Sequence, residues 1–380
     1  MPGQMTEVTW EQVTAWRIAR GHLARRIPAA KLEPAVQRTC GAHAQIMSTV
    51  PLALAARVNG VTAQSVDDAI ADRRLVKTWA MRGTLHVFAA GDLPLYCAAQ
   101  KSRDQYQNPS FLRYFGLEEA DLQAVLDAVP HALDGRRLSR GELARELLRI
   151  TKRPHLEERL LSGWGEMLKP AAFRGLLCFG PGTGRNVTFV RPDQWIGRWE
   201  EHDTDDALME VFRRFLGSYG PASVAEAARW WGVRPPEARR VLRLLGDELA
   251  EVVVGGDKRF VLARDAASIA RARRREGVRL IPSFDQLLVM SAPHKEAVVD
   301  PAFADRVYTV KPIAVWSLPA VLVDGRVRAA WKLEKKTRRA LVRVAPFGKL
   351  TRKQKAALED ESARLAKTIG AETELVLEGT

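Results

Sequence analysis

Residues 223–262 read SVAEAARWWGVRPPEARRVLRLLGDELAEVVVGGDKRFVL, and the order of signals in that stretch decides the fold. Ser223 is placed to cap a helix over residues 224–231, because its hydroxyl can accept from the free amides of a first turn. Residues 232–235, Gly-Val-Arg-Pro, make a turn, and Pro236 opens a second helix to residue 245, in the first turn where a missing N–H breaks no helix bond. Strand-like runs over 248–254 and 259–262 then close around Gly255-Gly256. Helix, turn, helix and hairpin predict a helix-turn-helix with a β wing. Arg239, Arg240 and Arg243 fall on the second helix, where a groove-reading element carries arginine and a solvated outer face carries it equally well.

The same order occurs twice upstream. Ser139 caps residues 141–150, a further helical stretch covers 156–168, and strands over 176–179 and 186–190 flank a glycine-rich loop at 180–184. That loop has neither the Gly-Lys-[Ser/Thr] ending of a nucleotide-binding loop nor a helix after it, so it reads as a wing tip. Arg185 there touches a polyanion backbone or sits in solvent. Nearer the N-terminus, helices over 52–59 and, with Ser65 as cap, 65–73 precede strands at 75–81 and 84–88 around Arg82-Gly83. An amphipathic helical region from 10 to 32 is broken by Pro28.

After a basic run at 271–275, in a stretch of helical character, the texture changes to short strands at 278–281, 313–316, 320–323, 326–330 and 339–344. Asp324-Gly325 is a two-residue hairpin signal. A final helix over 351–369 presents Leu358, Leu365 and Ile369 to this β domain. The expected architecture is α+β, with three tandem winged-helix modules forming a concave channel and a small C-terminal barrel-like domain. The modules span residues 1–97, 98–200 and 201–268, and the β-rich domain spans 269–380.

The chain of 380 residues is 46% hydrophobic, enough to bury several cores. No apolar run approaches the roughly 20 residues that span a bilayer. The N-terminus, with Glu7, Trp10, Glu11 and Gln12, has no signal-peptide core, so a cytoplasmic protein is expected. Cys40, Cys97 and Cys178 are too few and too scattered for a disulfide framework or a zinc site. His-Glu-x-x-His, zinc-deaminase, nucleophile-elbow and Rossmann patterns are missing, so neither a metal nor a nucleotide cofactor is expected. The net charge of +14 suits a polyanion, and it would suit an acidic protein or an anionic lipid surface as well.

One stretch carries chemistry. Residues 38–51 read RTCGAHAQIMSTVP, and His43 and Gln45 share a face only if the backbone there is extended, because in a helix i and i+2 diverge. Gly41 permits an irregular entry, and Ser48 or Thr49 can cap a helix whose first turn holds Pro51. An imidazole is a base near neutral pH, and a carboxamide can orient a water. An isolated His-x-Gln describes equally well a hydrogen-bonded core histidine beside an amide that satisfies backbone groups.

Residues 36–96, which hold this stretch and the hairpin Met81-Arg82-Gly83-Thr84-Leu85-His86, resemble the start of the AlkZ-like winged-helix DNA glycosylases, whose best-known branches are AlkZ and YcaQ. The hairpin matches residue for residue. The resemblance continues through Tyr219-Gly220-Pro221-Ala222-Ser223, Leu280-Ile281-Pro282-Ser283-Phe284-Asp285 and Val323-Asp324-Gly325-Arg326-Val327 with Trp331, and covers nearly the whole chain. The family pairs Gln-x-Gln or Gln-x-Asp at the catalytic stretch; here the first position is His43, and only Gln45 carries over directly.

The resemblance implies a monofunctional DNA glycosylase that hydrolyses the N-glycosidic bond of alkylated purines in double-stranded DNA. Its substrates would be N7-alkylguanine and bulky natural-product adducts or crosslinks, in repair or in self-resistance to a toxin. His43 and Gln45 are then the catalytic pair. Arg82, Arg185, Arg239 and Arg240 are the candidate DNA-binding residues, with an internal ion pair as the other role for Arg82. The alternative is a winged-helix regulator that binds DNA without chemistry. A regulator uses one symmetric dimer, whereas three unequal modules and a β domain fit a monomer that embraces a lesion.

Overall fold

A computed structural model of the chain describes residues 6–102, 109–163, 165–183, 186–311, 314–335 and 339–378. Its helices begin where the sequence supplies caps. The side chains of Ser139, Ser223 and Thr351 accept from the amide three residues on, and Glu142, Glu226 and Gln354 return a bond to the capping residue. A good cap stabilises a helix by about 1 kcal/mol. Near the N-terminus the expected cap, Ser65, is instead the third residue of such a box. Thr62 is the cap, and the helix Ala63–Ala71 begins earlier than the sequence suggested.

Strand β1 (Thr6–Val8) precedes the helix Trp10–Arg20. The helix Leu32–Arg38 leads to the two-residue strand β2 (Ala42–His43), helices Thr49–Ala55 and Ala63–Ala71, and a hairpin of β3 (Leu75–Trp79) and β4 (Leu85–Ala89). Helices Glu119–Ala132 and Arg140–Thr151, with β5 (Leu138–Ser139) between them, precede the hairpin of β6 (Cys178–Thr183) and β7 (Asn186–Val190). Helices Thr204–Tyr219, Val224–Trp231 and Pro235–Leu244 precede β8 (Leu249–Val254) and β9 (Asp257–Leu262).

The hairpins do not stand alone. The first two join where Lys77 of β3 pairs with Phe179 of β6, giving a six-stranded sheet of order β2-β4-β3-β6-β7-β5. The third is extended on its open edge by β1, which runs parallel to β8 with Thr6 opposite Val252. Val8, Val13 and Trp16 pack with Val252, Val254 and Val261, so the N-terminal segment is spatially part of the third unit. Trp230 and Trp231 of that unit share a core with Phe212, Phe215, Tyr96 and Phe88, which locks it to the first.

In the C-terminal region β10 (Val278–Ile281), β13 (Ala320–Val323), β14 (Arg326–Lys335), β15 (Arg339–Pro346) and β16 (Glu372–Leu377) form one sheet in that order. A separate hairpin is made of β11 (Tyr308–Lys311) and β12 (Ala314–Ser317). Asp324 and Gly325 both have positive φ, 50° and 81°, as a two-residue hairpin of matching twist requires. The helix Arg352–Ile369 crosses over to bring β16 parallel to β15, and it buries Leu358 and Leu365 against the sheet. Because that helix packs where closing strands would, the sheet stays open at β10 and β16: a half-barrel. The basic run at 271–275 is not helical, since the helix Ala263–Ala270 stops before it; adjacent like charges oppose its continuation. Among the described residues no helix is long and apolar enough to cross a membrane.

Candidate active site

The site is built on a turn that only small or permissive residues can make. Beyond the helix Leu32–Arg38, Cys40 and Gly41 take positive φ values of 53° and 91°. A Cβ at residue 41 would meet the Phe88 ring at 2.6 Å, so glycine is required there for space as well as for φ. The chain then enters β2, where His43 lies opposite His86 of β4 and the Ala44 amide donates to the Leu85 carbonyl at 2.7 Å. His43 is thus extended, the condition for it to act together with Gln45.

Gln45 follows in an exposed bend, with the Leu85 amide donating to its Oε1 at 3.3 Å. An N–H needs an oxygen acceptor, so the carboxamide is turned with its oxygen on the backbone and its NH2 free to donate elsewhere. Two distant segments hold the turn. The Tyr219 hydroxyl donates to the Thr39 carbonyl at 2.8 Å, and Gln286 Nε2 donates to the Gly41 carbonyl at 3.3 Å.

His43 is 8% exposed. Its ring stacks on Phe284, centroids 4.9 Å apart and planes 9° from parallel, and meets His86 edge-on at 5.2 Å. Phe284 reaches this position from a left-handed backbone, φ 60°. Behind it Arg57 makes a buried bidentate pair with Asp285, at 2.6 and 2.8 Å, and Asp285 also caps the helix Gln286–Ser291 through the Leu287 amide. Burial lowers the basicity of the Arg57 guanidinium, and the Asp285 carboxylate more than offsets it, so the cation is firmly held. His43, Thr49, Arg57, Phe284 and Asp285 line a cavity of about 10 Å³, room for about one water.

Burial, with a smaller contribution from the Arg82 guanidinium, pushes the His43 pKa down to about 3. Burial, then His43 and Arg82, holds His86 well below its ordinary value. Both rings are neutral at neutral pH. His43 Nδ1 is buried with no hydrogen-bond partner among the described residues, which leaves Nε2 as the outward nitrogen.

Arg82 sits half-buried with φ 57°, and its Nη1 donates to the Trp230 carbonyl at 2.7 Å. It lies beside the histidine pair and is tied to the third unit. Arg239 and Arg240 are on the helix Pro235–Leu244. Arg239 is exposed, while Arg240 is gripped by Asp205 at 2.7 and 2.9 Å and by Glu237 at 3.0 Å. Arg185 lies outside the described residues. Phe284, Asp285, Arg57, Gln286 and Tyr219 carry no chemistry in the sequence pattern, and only the fold assigns them to the site. Among the described residues no three His, Cys, Asp or Glu side chains gather where a metal ion could sit.

The pattern that defines the AlkZ-like DNA glycosylases matches residues 36–368. The chain belongs to that family. An interstrand DNA cross-link repair glycosylase of Streptomyces sahachiroi is 36% identical over 369 residues, 96% of this chain and 97% of its own. The solved structure of the Streptomyces sahachiroi DNA glycosylase AlkZ superposes with a TM-score of 0.85 at 35% identity, covering 98% of this chain and 100% of that one. The AlkZ-like chain is therefore a DNA glycosylase, and the reading as a regulator without chemistry falls away. Its mixed α+β fold, half-barrel included, is the AlkZ fold.

Proposed function

We propose that this glycosylase releases alkylated purines, N7-alkylguanine foremost, from double-stranded DNA, with His43 as general base and Gln45 as the amide that orients water. The observation that carries the reading is the pairing of a neutral imidazole on a strand, its Nε2 outward, with the free carboxamide NH2 of Gln45 in the exposed bend two residues on. Alkylation at N7 puts positive charge on the base. The C1′–N9 bond breaks with its electron pair going to the purine, which leaves neutral, while a water oxygen bonds to C1′ and gives its proton to His43 Nε2. The Gln45 NH2 donates to the same oxygen, which points the water's lone pair at the sugar.

The cavity beside His43 is sized for about one water, and the damaged base is read as reacting against the face of the site. That favours bulky adducts and crosslinks as substrates, and the cross-link repair named for the Streptomyces sahachiroi relative supports the same class. The three helix–helix–hairpin units are read as winged-helix modules, residues 1–97, 98–200 and 201–268 in sequence with residues 6–20 packed onto the third, lining a concave channel with the β-rich region 269–380. Arg82, Arg185, Arg239, Arg240 and the net charge of +14 serve the duplex backbone, and the protein works as a cytoplasmic monomer without a cofactor. Single-turnover incubation with duplexes carrying N7-methylguanine or a bulkier N7-guanine adduct, with alkali revealing abasic sites, tests the reading. Binding of unmodified duplex with no base released from any alkylated one would overturn it.

A further inference from the structure

Strand register sets three polar side chains in one row. His43 of β2 lies opposite His86 of β4, and His86 lies opposite Thr78 of β3. Directly opposed residues project from the same face, with Cβ atoms about 5 Å apart. The three residues are 8%, 0% and 1% exposed. Each ends in a buried polar atom without a partner among the described residues: His43 Nδ1, His86 Nε2 and Thr78 Oγ1. A single such orphan costs roughly 1–3 kcal/mol, and native interiors pair the great majority of their polar atoms. Three in one row call for a function.

Tautomer logic says which of them can donate. His86 Nδ1 lies 3.1 Å from the Thr84 carbonyl. A carbonyl only accepts, so the His86 proton is on Nδ1 and its Nε2 is a bare lone pair. In the row it is flanked by two potential donors, the Thr78 hydroxyl and the His43 Nδ1–H, neither of which bonds it in the structure. The other groups that face His43 are the Arg82 guanidinium, the Phe284 ring and the Arg57–Asp285 pair across the cavity.

We infer that His86 is a positioning residue for the base: the two edge-on rings, 5.2 Å apart and unbonded in the free chain, turn so that His86 Nε2 accepts the Nδ1–H of His43 and holds it in the tautomer whose Nε2 lone pair meets the water. This rests on the reading of His43 as general base given above. When the water's proton reaches His43 Nε2 the ring becomes an imidazolium, and its Nδ1–H bond to His86 strengthens while His86 keeps its own proton on Thr84. A neutral imidazole thus does the orienting that a carboxylate does behind other catalytic histidines, and it brings no negative charge up to a polyanionic substrate.

The experiment uses the full chain labelled with ¹⁵N-histidine, with and without unmodified duplex. Two-bond ¹H–¹⁵N spectra, assigned with His43→Gln, report the His43 tautomer, and single-turnover release of N7-methylguanine reports the rate. Wild type shows His43 protonated at Nδ1. His86→Phe loses that tautomer and slows release by about 10- to 100-fold, the usual reach of a group that orients a functional histidine, with circular dichroism and duplex affinity unchanged. His86→Gln places an amide oxygen where Nε2 stood and recovers most of both signals, and Thr78→Val, which removes the competing donor, keeps the Nδ1–H form. A wild-type His43 protonated at Nε2, a His86→Phe variant with wild-type tautomer and rate, or a His86→Gln variant as impaired as His86→Phe would each overturn the inference. If wild type releases no methylated base, the substrate reading has failed and the tautomer spectra alone decide this one.

Discussion

His43 and Phe284 stack with ring centroids 4.9 Å apart and planes within 9° of parallel, although 241 positions separate them in the chain. The contact fixes the imidazole plane from one side while His86 meets it edge-on from another. Phe284→Leu keeps an apolar surface and removes the flat one. It should lower single-turnover base release by up to about 100-fold, the scale of a misplacement near 1 Å, with duplex affinity retained in a gel-shift titration.

His43→Ala and Gln45→Ala should each reduce release of N7-alkylguanine while leaving DNA affinity near wild type. General-base contributions run to about 10²–10⁴-fold, and a loss toward the lower end is expected because a cationic base departs readily. His43→Gln, which restores the pair common among the glycosylases this chain resembles, should keep partial activity. Rapid-quench time courses on a methylated duplex measure all three.

The Arg57–Asp285 pair should be costly to break and cheaper to replace. Arg57→Ala leaves a buried carboxylate unpaired and should lower unfolding free energy by about 3–5 kcal/mol. An apolar double replacement, Arg57→Met with Asp285→Leu, should lose less than the two single changes combined. Urea titrations of wild type, Arg57→Met, Asp285→Leu and the double replacement give the coupling directly.

Acid should weaken the fold through the two buried histidines. The His43 pKa is pushed down to about 3 in the folded chain, and His86 is also well depressed, whereas an unfolded histidine takes up its proton near 6.5. Between those values the unfolded state binds more protons, so stability falls as pH drops below about 6.5, with a slope of up to about 1.4 kcal/mol per pH unit for each histidine. His43→Gln should show a shallower loss in urea titrations from pH 7 to 4. In the folded chain His43 takes up its proton only near pH 3, so base release should show no acid limb from it above about pH 4, in wild type as in His43→Gln.

Arg239 and Arg240, adjacent in sequence, should differ. Arg239 is exposed without an ion partner among the described residues, while Arg240 is held by Asp205 and Glu237. Arg239→Ala should reduce the slope of log affinity against log salt by about 0.9 if it neutralises one phosphate. Arg240→Ala should change that slope less, because its charge is already matched. Fluorescence anisotropy at a series of salt concentrations distinguishes the two.

The sequence by itself determined what short-range physics controls. Gly41 permits the irregular entry that lets His43 run extended, Asp324-Gly325 turns a hairpin, and the caps at Ser139 and Ser223 start their helices where they stand. The Met81–His86 hairpin and the His-x-Gln stretch were enough to resemble the right family. Tertiary structure decided what depends on partners far along the chain. Thr6–Val8 is too short to announce itself as a strand and becomes one only beside β8. The first two hairpins fuse through a single pair, Lys77 with Phe179, that no local pattern encodes. A buried histidine is silent about its own basicity until Phe284, Arg82 and His86 close around it, because desolvation and stacking belong to the packed site and not to the residue.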